Sequence, residues 1–157
     1  MRAAGRAGPG QRPGGRQLLG LALLAFGLPA LAADGDTRQP VELPAPMREH
    51  MLANMRDHLA AIGEVQRALG QGAFGQAAEI AEHRLGMSSL DAHGASHMAP
   101  LMPEGMRVIG TRMHQAASRF AAAAQESEVK GDLAGALRSL SEVTEQCVAC
   151  HATYRVH

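Results

Sequence analysis

Apolar residues recur at helical spacing in four segments of the chain, and this periodicity restricts the fold more than any other feature. The segments cover about residues 47–70, 74–85, 103–129 and 133–154. In the first, spacings of four or three join Met47, Met51, Met55, Leu59 and Ile62. The last repeats these spacings through Leu133, Leu137, Leu140, Thr144, Cys147, His151 and Tyr154. Residues so spaced share one helix face. The pattern predicts an all-α fold, an antiparallel four-helix bundle over residues 47–157.

The residue composition also favours helices over a sheet. Aromatic residues make up 3% of the chain, with no tryptophan, and alanine, leucine and methionine are abundant. Straight-chain residues lose little rotamer freedom in a helix, whereas strands favour β-branched and aromatic residues. Turn residues separate the segments: GQGAFG at 70–75, Gly86 as a C-cap, and Gly131-Asp132 as a break followed by an N-cap.

The N-terminal 32 residues have the pattern of a secretory signal peptide. Four arginines (Arg2, Arg6, Arg12 and Arg16) precede an apolar run at 18–28, and Ala30-Leu31-Ala32 follows as a cleavage pattern. The alternative is an uncleaved anchor, but spanning a bilayer takes about 20 apolar residues. Residues 33–46 are polar and rich in proline, and we predict a flexible leader there. The expected location is the bacterial periplasm, with no stable membrane insertion after cleavage.

The charge of the remaining chain argues against nucleic acid as a partner. Without the four arginines of residues 1–32 the chain has 11 basic and 15 acidic residues, a formal net charge of −4. Nucleic-acid binding depends on lysine and arginine contacts to phosphates. The chain has a single lysine, Lys130. We expect no nucleic-acid binding.

The chain's two cysteines stand together in Cys147-Val-Ala-Cys150-His151. On a helix the three side chains share a face, because residues three or four apart are separated by one turn. The spacing C-x-x-C-H is the attachment signal of c-type haem. We therefore predict one covalent haem c, bound through Cys147 and Cys150, with His151 as an axial ligand of the iron.

Other uses of this motif fit less well. A thioredoxin-like dithiol would follow a strand and lie at a helix N-terminus, where the thiol pKa falls. A zinc site would need a fourth ligand at regular spacing. A disulfide between residues 147 and 150 would close too short a loop to stabilise the fold much.

The ending CVACHATYR (147–155) resembles the C-x-x-C-H-x-x-[FY]-R ending of the class II cytochromes c, the family of cytochrome c prime and its low-spin relatives. Similar family stretches are the turn and helix start at 70–78, Pro103-Glu-Gly-Met106, Phe120 and Lys130-Gly131-Asp132. The resemblance covers residues 47–157. The family's tryptophan after the proline is missing here. The resemblance implies a haem-bearing helical bundle that often dimerises through its first two helices.

The resemblance also implies that the first helix crosses the distal side of the haem. A methionine there gives a six-coordinate electron carrier, and a leucine leaves an open iron that binds small gases. Counting from Arg48, which resembles a basic residue near the haem propionates, gives Leu52. Counting back from the turn at Gly70 ends one residue short of Met55. The sixth ligand is expected to be Met55 or Met51, with Met55 preferred. The alternative is an open or histidine-ligated distal side, although we expect His50 and His58 at the surface or helix edge.

Histidine and methionine are concentrated around residues 87–102. The set consists of His83, Met87, His93, His97, Met98, Met102 and Met106. Imidazole and thioether together suit copper. The alternative, which we favour, is a loop whose methionines cap the bundle and whose histidines face solvent.

These features predict a mono-haem electron carrier that exchanges one electron with redox partner proteins. The chain shows no nucleophile elbow, phosphate-binding glycine loop or paired-carboxylate motif, so we expect no enzymatic activity. The competing hypotheses are a gas-binding cytochrome c prime and a copper-handling protein.

Overall fold

Helices dominate the computed structural model, which describes residues 35–156. Their bounds are Ala45–Gly70 (α1), Phe74–Arg84 (α2), Ala95–Met98 (α3), Glu104–Lys130 (α4) and Leu133–Thr153 (α5). The predicted all-α class is confirmed at this level, and the four long helices match the four periodic segments. The predicted signal peptide, residues 1–32, lies outside the described residues.

The helix boundaries follow the local turn chemistry. Helix α1 begins two residues earlier than predicted, with a proline in its first turn, where a missing N–H costs nothing. Helix α4 follows Pro103 and ends at Gly131, whose φ of 65° is left-handed and suits glycine. The Asp132 carboxylate then accepts a hydrogen bond from the Gly135 N–H at 2.8 Å, which caps α5 as predicted.

A short parallel sheet joins two distant parts of the chain. Strand β1 (Gln39–Val41) pairs with strand β2 (Tyr154–Val156), with Val41 opposite Val156. Within the segment 33–46 predicted as a flexible leader, residues 39–41 thus form β1 and residues 45–46 begin α1. No local pattern predicts this pairing, because its partner strand lies more than a hundred residues away.

The main core lies among the four long helices. Helix α1 packs on α2, α2 on α4, and α4 on α5. The largest fully buried apolar side chains are Val65, Leu85, Phe120 and Val143, surrounded by buried alanines. Small alanine side chains let these helix backbones approach closely. A separate small apolar cluster consists of Val41, Met51, Met98 and Met106.

The helix face predicted to be buried on α5 agrees only partly with the structure. Leu140 is buried, but Leu133 and Leu137 are 40% and 47% exposed. The buried positions are Ala136, Leu140 and Val143, with Cys147 packed against the same core. The buried face is therefore rotated from the predicted one, with Ala136 and Val143 buried where Leu133 and Leu137 were expected.

The segment predicted as a loop over 87–102 contains helical turns. It holds 3₁₀ turns at Met87–Ser89 and Ala99–Leu101 and the single turn of α3. Its middle is tied to α1, since the carbonyl of His93 accepts hydrogen bonds from Nε2 of His50 at 2.8 Å and Nδ2 of Asn54 at 3.1 Å. Between residues 35 and 156, no helix is long and apolar enough to cross a membrane.

Candidate functional site

A cavity of about 370 Å³ lies among α1, α4 and α5. Cys147, Cys150 and His151 all line it from α5. The opposing wall consists mainly of apolar side chains: Met55, Leu59 and Ile62 from α1, and Ile109 and Met113 from α4. The three motif residues are thus brought to one apolar space, as the shared-face prediction requires.

Both cysteines are free thiols in a half-buried setting. Burial raises the pKa of the Cys147 thiol, and burial together with its neighbour raises that of Cys150. The Cys147 thiol donates to the carbonyl of Val143, with sulfur and oxygen 3.6 Å apart. A redox-active dithiol needs a lowered thiol pKa, so the setting of this pair is unlike one.

His151 lies in the last turn of α5 and is exposed on its outer side while lining the cavity. Its backbone carbonyl accepts a hydrogen bond from Nη1 of Arg38 at 3.3 Å. Arg38 directly precedes β1, so the strand pairing also anchors the end of the helix that carries the motif.

The four α1 residues predicted near the distal side of the haem, Arg48, Met51, Leu52 and Met55, have different surroundings in the structure. Met55 lines the cavity. Met51 is buried in the small apolar cluster and does not line it. Leu52 is 40% exposed, and neither Leu52 nor Arg48 lines the cavity. Met55 is the one of the two candidate thioethers that reaches the space next to the motif.

His58 also lines the cavity, and the expectation of a surface or helix-edge histidine is wrong for it. The residue is 9% exposed, on the buried face of α1. Its ring centroid lies 4.6 Å from that of His93 and 6.0 Å from that of His114. Burial, followed by the charges of these two histidines, lowers the pKa of His58 to about 4. The ring is neutral at pH 7.

The two neighbouring histidines are oriented by hydrogen bonds of their own. Nδ1 of His114 donates to the carbonyl of Leu85 at 2.7 Å. The hydroxyl of Ser89 donates to the carbonyl of Gly86 at 2.7 Å and lies 3.3 Å from Nδ1 of His93. Because the Ser89 hydroxyl donates its only proton to Gly86, the hydrogen bond between Ser89 and His93 must be donated by Nδ1 of His93. Burial lowers the pKa of both rings.

The histidines and methionines considered for copper do not converge on one point. His83 and His97 are exposed, and Met87 is 41% exposed. Met98 and Met106 are buried in the small apolar cluster, with Met102 packed against it, while His93 joins His58 and His114. In the described part of the chain, no group of three or more His, Cys, Asp or Glu could hold a metal ion. The favoured alternative placed all these histidines in solvent, which is wrong for the half-buried His93.

Sequence reasoning missed the roles of His58 and His114. For His58 a signal was present: it follows Met51 by seven residues and Met55 by three, which places it on their helix face. His114 follows the predicted core residue Met113 directly, and periodicity alone does not mark it. Comparison of the chain with protein-family models, with curated proteins and with solved structures found no match.

Proposed function

We propose that this protein is a mono-haem c-type cytochrome that carries one electron. The supporting observation is that Cys147, Cys150 and His151 line a single apolar cavity. Thioethers from the two cysteines would hold the haem, and an imidazole nitrogen of His151 would bind its iron. When bound, the haem supplies an iron that alternates between the ferric and ferrous states.

The residues of the cavity fit a haem by their chemistry. Apolar side chains from α1 and α4 face the motif, and such a wall packs against a flat macrocycle and excludes water. Leu59 and Val148 line the cavity while 74% and 67% exposed, respectively. Large apolar side chains so exposed at the rim of a cavity support an apolar occupant that covers them.

The alternatives for the motif have less support. The pKa of both thiols is raised, which disfavours a dithiol that must form thiolate at neutral pH. A structural zinc site takes four ligands, and residues 35–156 offer no group of even three. Copper handling by residues 87–102 lacks support because the candidate ligands are dispersed.

The proposed architecture is an antiparallel four-helix bundle of the class II cytochrome c type, with haem on its last helix. Its support is the succession of four long helices and the motif at the end of the fourth. The C-x-x-C-H-x-x-[FY]-R ending and the Gly-Asp turn at 131–132 add the resemblance described above.

In this proposal the protein acts in the periplasm and exchanges electrons with redox partner proteins rather than transforming a substrate. The export pattern of residues 1–32 supports the location, and the exposed position of His151 and Val148 supports electron transfer across a short distance to a docked partner. Dimerisation through the first two helices is implied by the resemblance alone.

The test of attachment is expression in bacteria with a cytochrome c maturation system. The purified protein should keep its haem after denaturation and acid-acetone extraction, because thioethers are covalent. Cys147→Ala and Cys150→Ala should each retain one thioether, and the double variant should release its haem. Ser141→Ala, on the exposed side of α5, serves as the matched control and should retain haem fully. Haem that extracts freely from the wild-type protein would refute the proposal.

A further inference from the structure

His58 lines the cavity, and the Nε2 of its imidazole is buried without a hydrogen-bond partner. Of the buried side-chain nitrogen and oxygen atoms in residues 35–156, Nε2 of His58 is the one with no hydrogen-bond partner. The residue is 9% exposed and lines the same cavity as Cys147, Cys150 and His151. A buried polar group without a partner is destabilising, so an unsatisfied nitrogen of this kind points to a ligand or an ion that would pair with it.

The surroundings keep this nitrogen available as a lone-pair donor. Burial and the nearby His93 and His114 disfavour the charged ring, so the imidazole is neutral at pH 7. Those two histidines hydrogen-bond elsewhere, to Ser89 and to the Leu85 carbonyl, and do not satisfy Nε2 of His58. Their rings pack against that of His58 and restrict its orientation.

Met55, the competing candidate ligand on α1, has no polar atom that must be paired. A thioether is a weak hydrogen-bond acceptor and loses little when it is merely packed. Met55 is half-buried and packs against the small apolar cluster of Val41, Met51, Met98 and Met106. Methionine is stable there without iron, whereas His58 is left with an unsatisfied nitrogen.

We infer that His58, and not Met55, supplies the second axial ligand of the haem iron, so that His151 and His58 together form a bis-imidazole site. The inference rests on the proposed haem attachment. Neutral imidazole is a good ligand for iron, and coordination would satisfy the orphan nitrogen. Imidazole in place of thioether would also make the reduction potential lower than that of a histidine–methionine cytochrome.

The first measurement uses the wild-type holoprotein and needs no variant. Electron paramagnetic resonance and near-infrared magnetic circular dichroism of the ferric form should show low-spin, bis-imidazole iron. The weak methionine-to-iron charge-transfer band should be absent, and the reduced protein should not bind carbon monoxide readily.

Variants then assign the ligand to one side chain. His58→Ala should become high-spin or gain the methionine charge-transfer band, and added imidazole should restore the wild-type spectrum. Met55→Leu, although it changes a side chain that lines the cavity, should keep the low-spin, bis-imidazole signature. His97→Ala removes an exposed histidine that does not line the cavity and is the matched control. If His58→Ala does not fold, His58→Gln, which retains an amide of similar reach, replaces it.

Several outcomes would overturn the inference. One is a wild-type methionine band that disappears in Met55→Leu and persists in His58→Ala. Another is a high-spin wild-type protein that binds carbon monoxide, which would indicate an open iron. In both cases covalent haem would still be present, so the proposed function would stand while the ligand assignment failed. A protein without covalent haem would refute both.

Discussion

Arg84 shows how one side chain can join two helices at the edge of the site. Its Nη1 donates to Oε2 of Glu64 at 2.7 Å and its Nε to Oδ2 of Asp57 at 3.2 Å, both across the contact between α2 and α1. Asp57 directly precedes His58, so the ion pairs hold the turn of α1 that presents this histidine to the cavity. The guanidinium of Arg84 lowers the pKa of Asp57.

Replacing Arg84 with glutamine should lower the free energy of unfolding by about 1 kcal/mol at pH 7, because both acids are partly exposed and such pairs are weak. The pKa of Asp57 is lower in the folded state than in the unfolded state. Its contribution is therefore complete above the ordinary aspartate pKa of about 4 and is lost as the pH falls below it.

Urea unfolding of the wild-type protein and of Arg84→Gln at pH 7 and pH 3 measures this effect, and the difference in unfolding free energy between them should shrink at pH 3. Arg56→Gln, which changes an exposed arginine on α1 that makes no ion pair within residues 35–156, is the control. A difference of equal size at both pH values would contradict the ionic origin.

At the scale of elements, the turn between α4 and α5 determines where the helix that carries Cys147 and Cys150 begins. Gly131 takes the left-handed conformation that ends α4, and Asp132 caps α5 through the N–H of Gly135. These two residues fix the point in the sequence at which α4 ends and α5 begins.

Loss of the Asp132 cap should be measurable by thermal unfolding. Asp132→Ala removes the acceptor for an otherwise unpaired N–H and should cost about 1 kcal/mol. Asp132→Asn keeps a side-chain oxygen at that position and should cost much less. Equal destabilisation by the two variants would mean that the ion pair of Asp132 with Arg138, at 3.7 Å, matters more than the cap.

The helices could be predicted from the sequence because their signals are local. Proline at the start of α4, Gly131 at its end and the 3.6-residue period each act within a few residues. The buried face of α5 could not be predicted fully, because it depends on how α5 packs against α4, which lies outside any local pattern. The burial of His58 could not be predicted either. Its ring packs against His93 and His114, which come from two other parts of the chain and are not visible in the local pattern of α1.

The whole molecule depends on a contact between segments far apart in the chain. Val41 of β1 is 3% exposed and packs with Met51, Met98 and Met106, while Val156 is its partner in β2. The small apolar cluster therefore joins the segment before α1, helix α1 itself, the α3 region and α4, with Cys150 at the end of α5 packed against it.

Val41→Ala should lower the free energy of unfolding by about 1–2 kcal/mol, because it removes two buried methyl groups and leaves space between packed methionines. Chemical denaturation of the purified wild-type and Val41→Ala proteins measures this value. Val129→Ala removes the same groups from a side chain that is 89% exposed and should change stability little. Equal effects of the two variants would show that β1 does not contribute to the core.

The pairing of β1 with β2 has a kinetic consequence. Arg155 bonds to the carbonyl of Arg38 across 117 positions of sequence, and Arg38 bonds to that of His151 across 113. Bringing the ends of so long a loop together lowers the chain entropy before the stabilising contacts have formed. This pairing should therefore form late in folding. A two-stranded sheet of three residues each is also a weak unit, and it should open before the helices do. Slow amide exchange would then mark the helices and faster exchange the strands, with the last turn of α5 released each time the sheet opens.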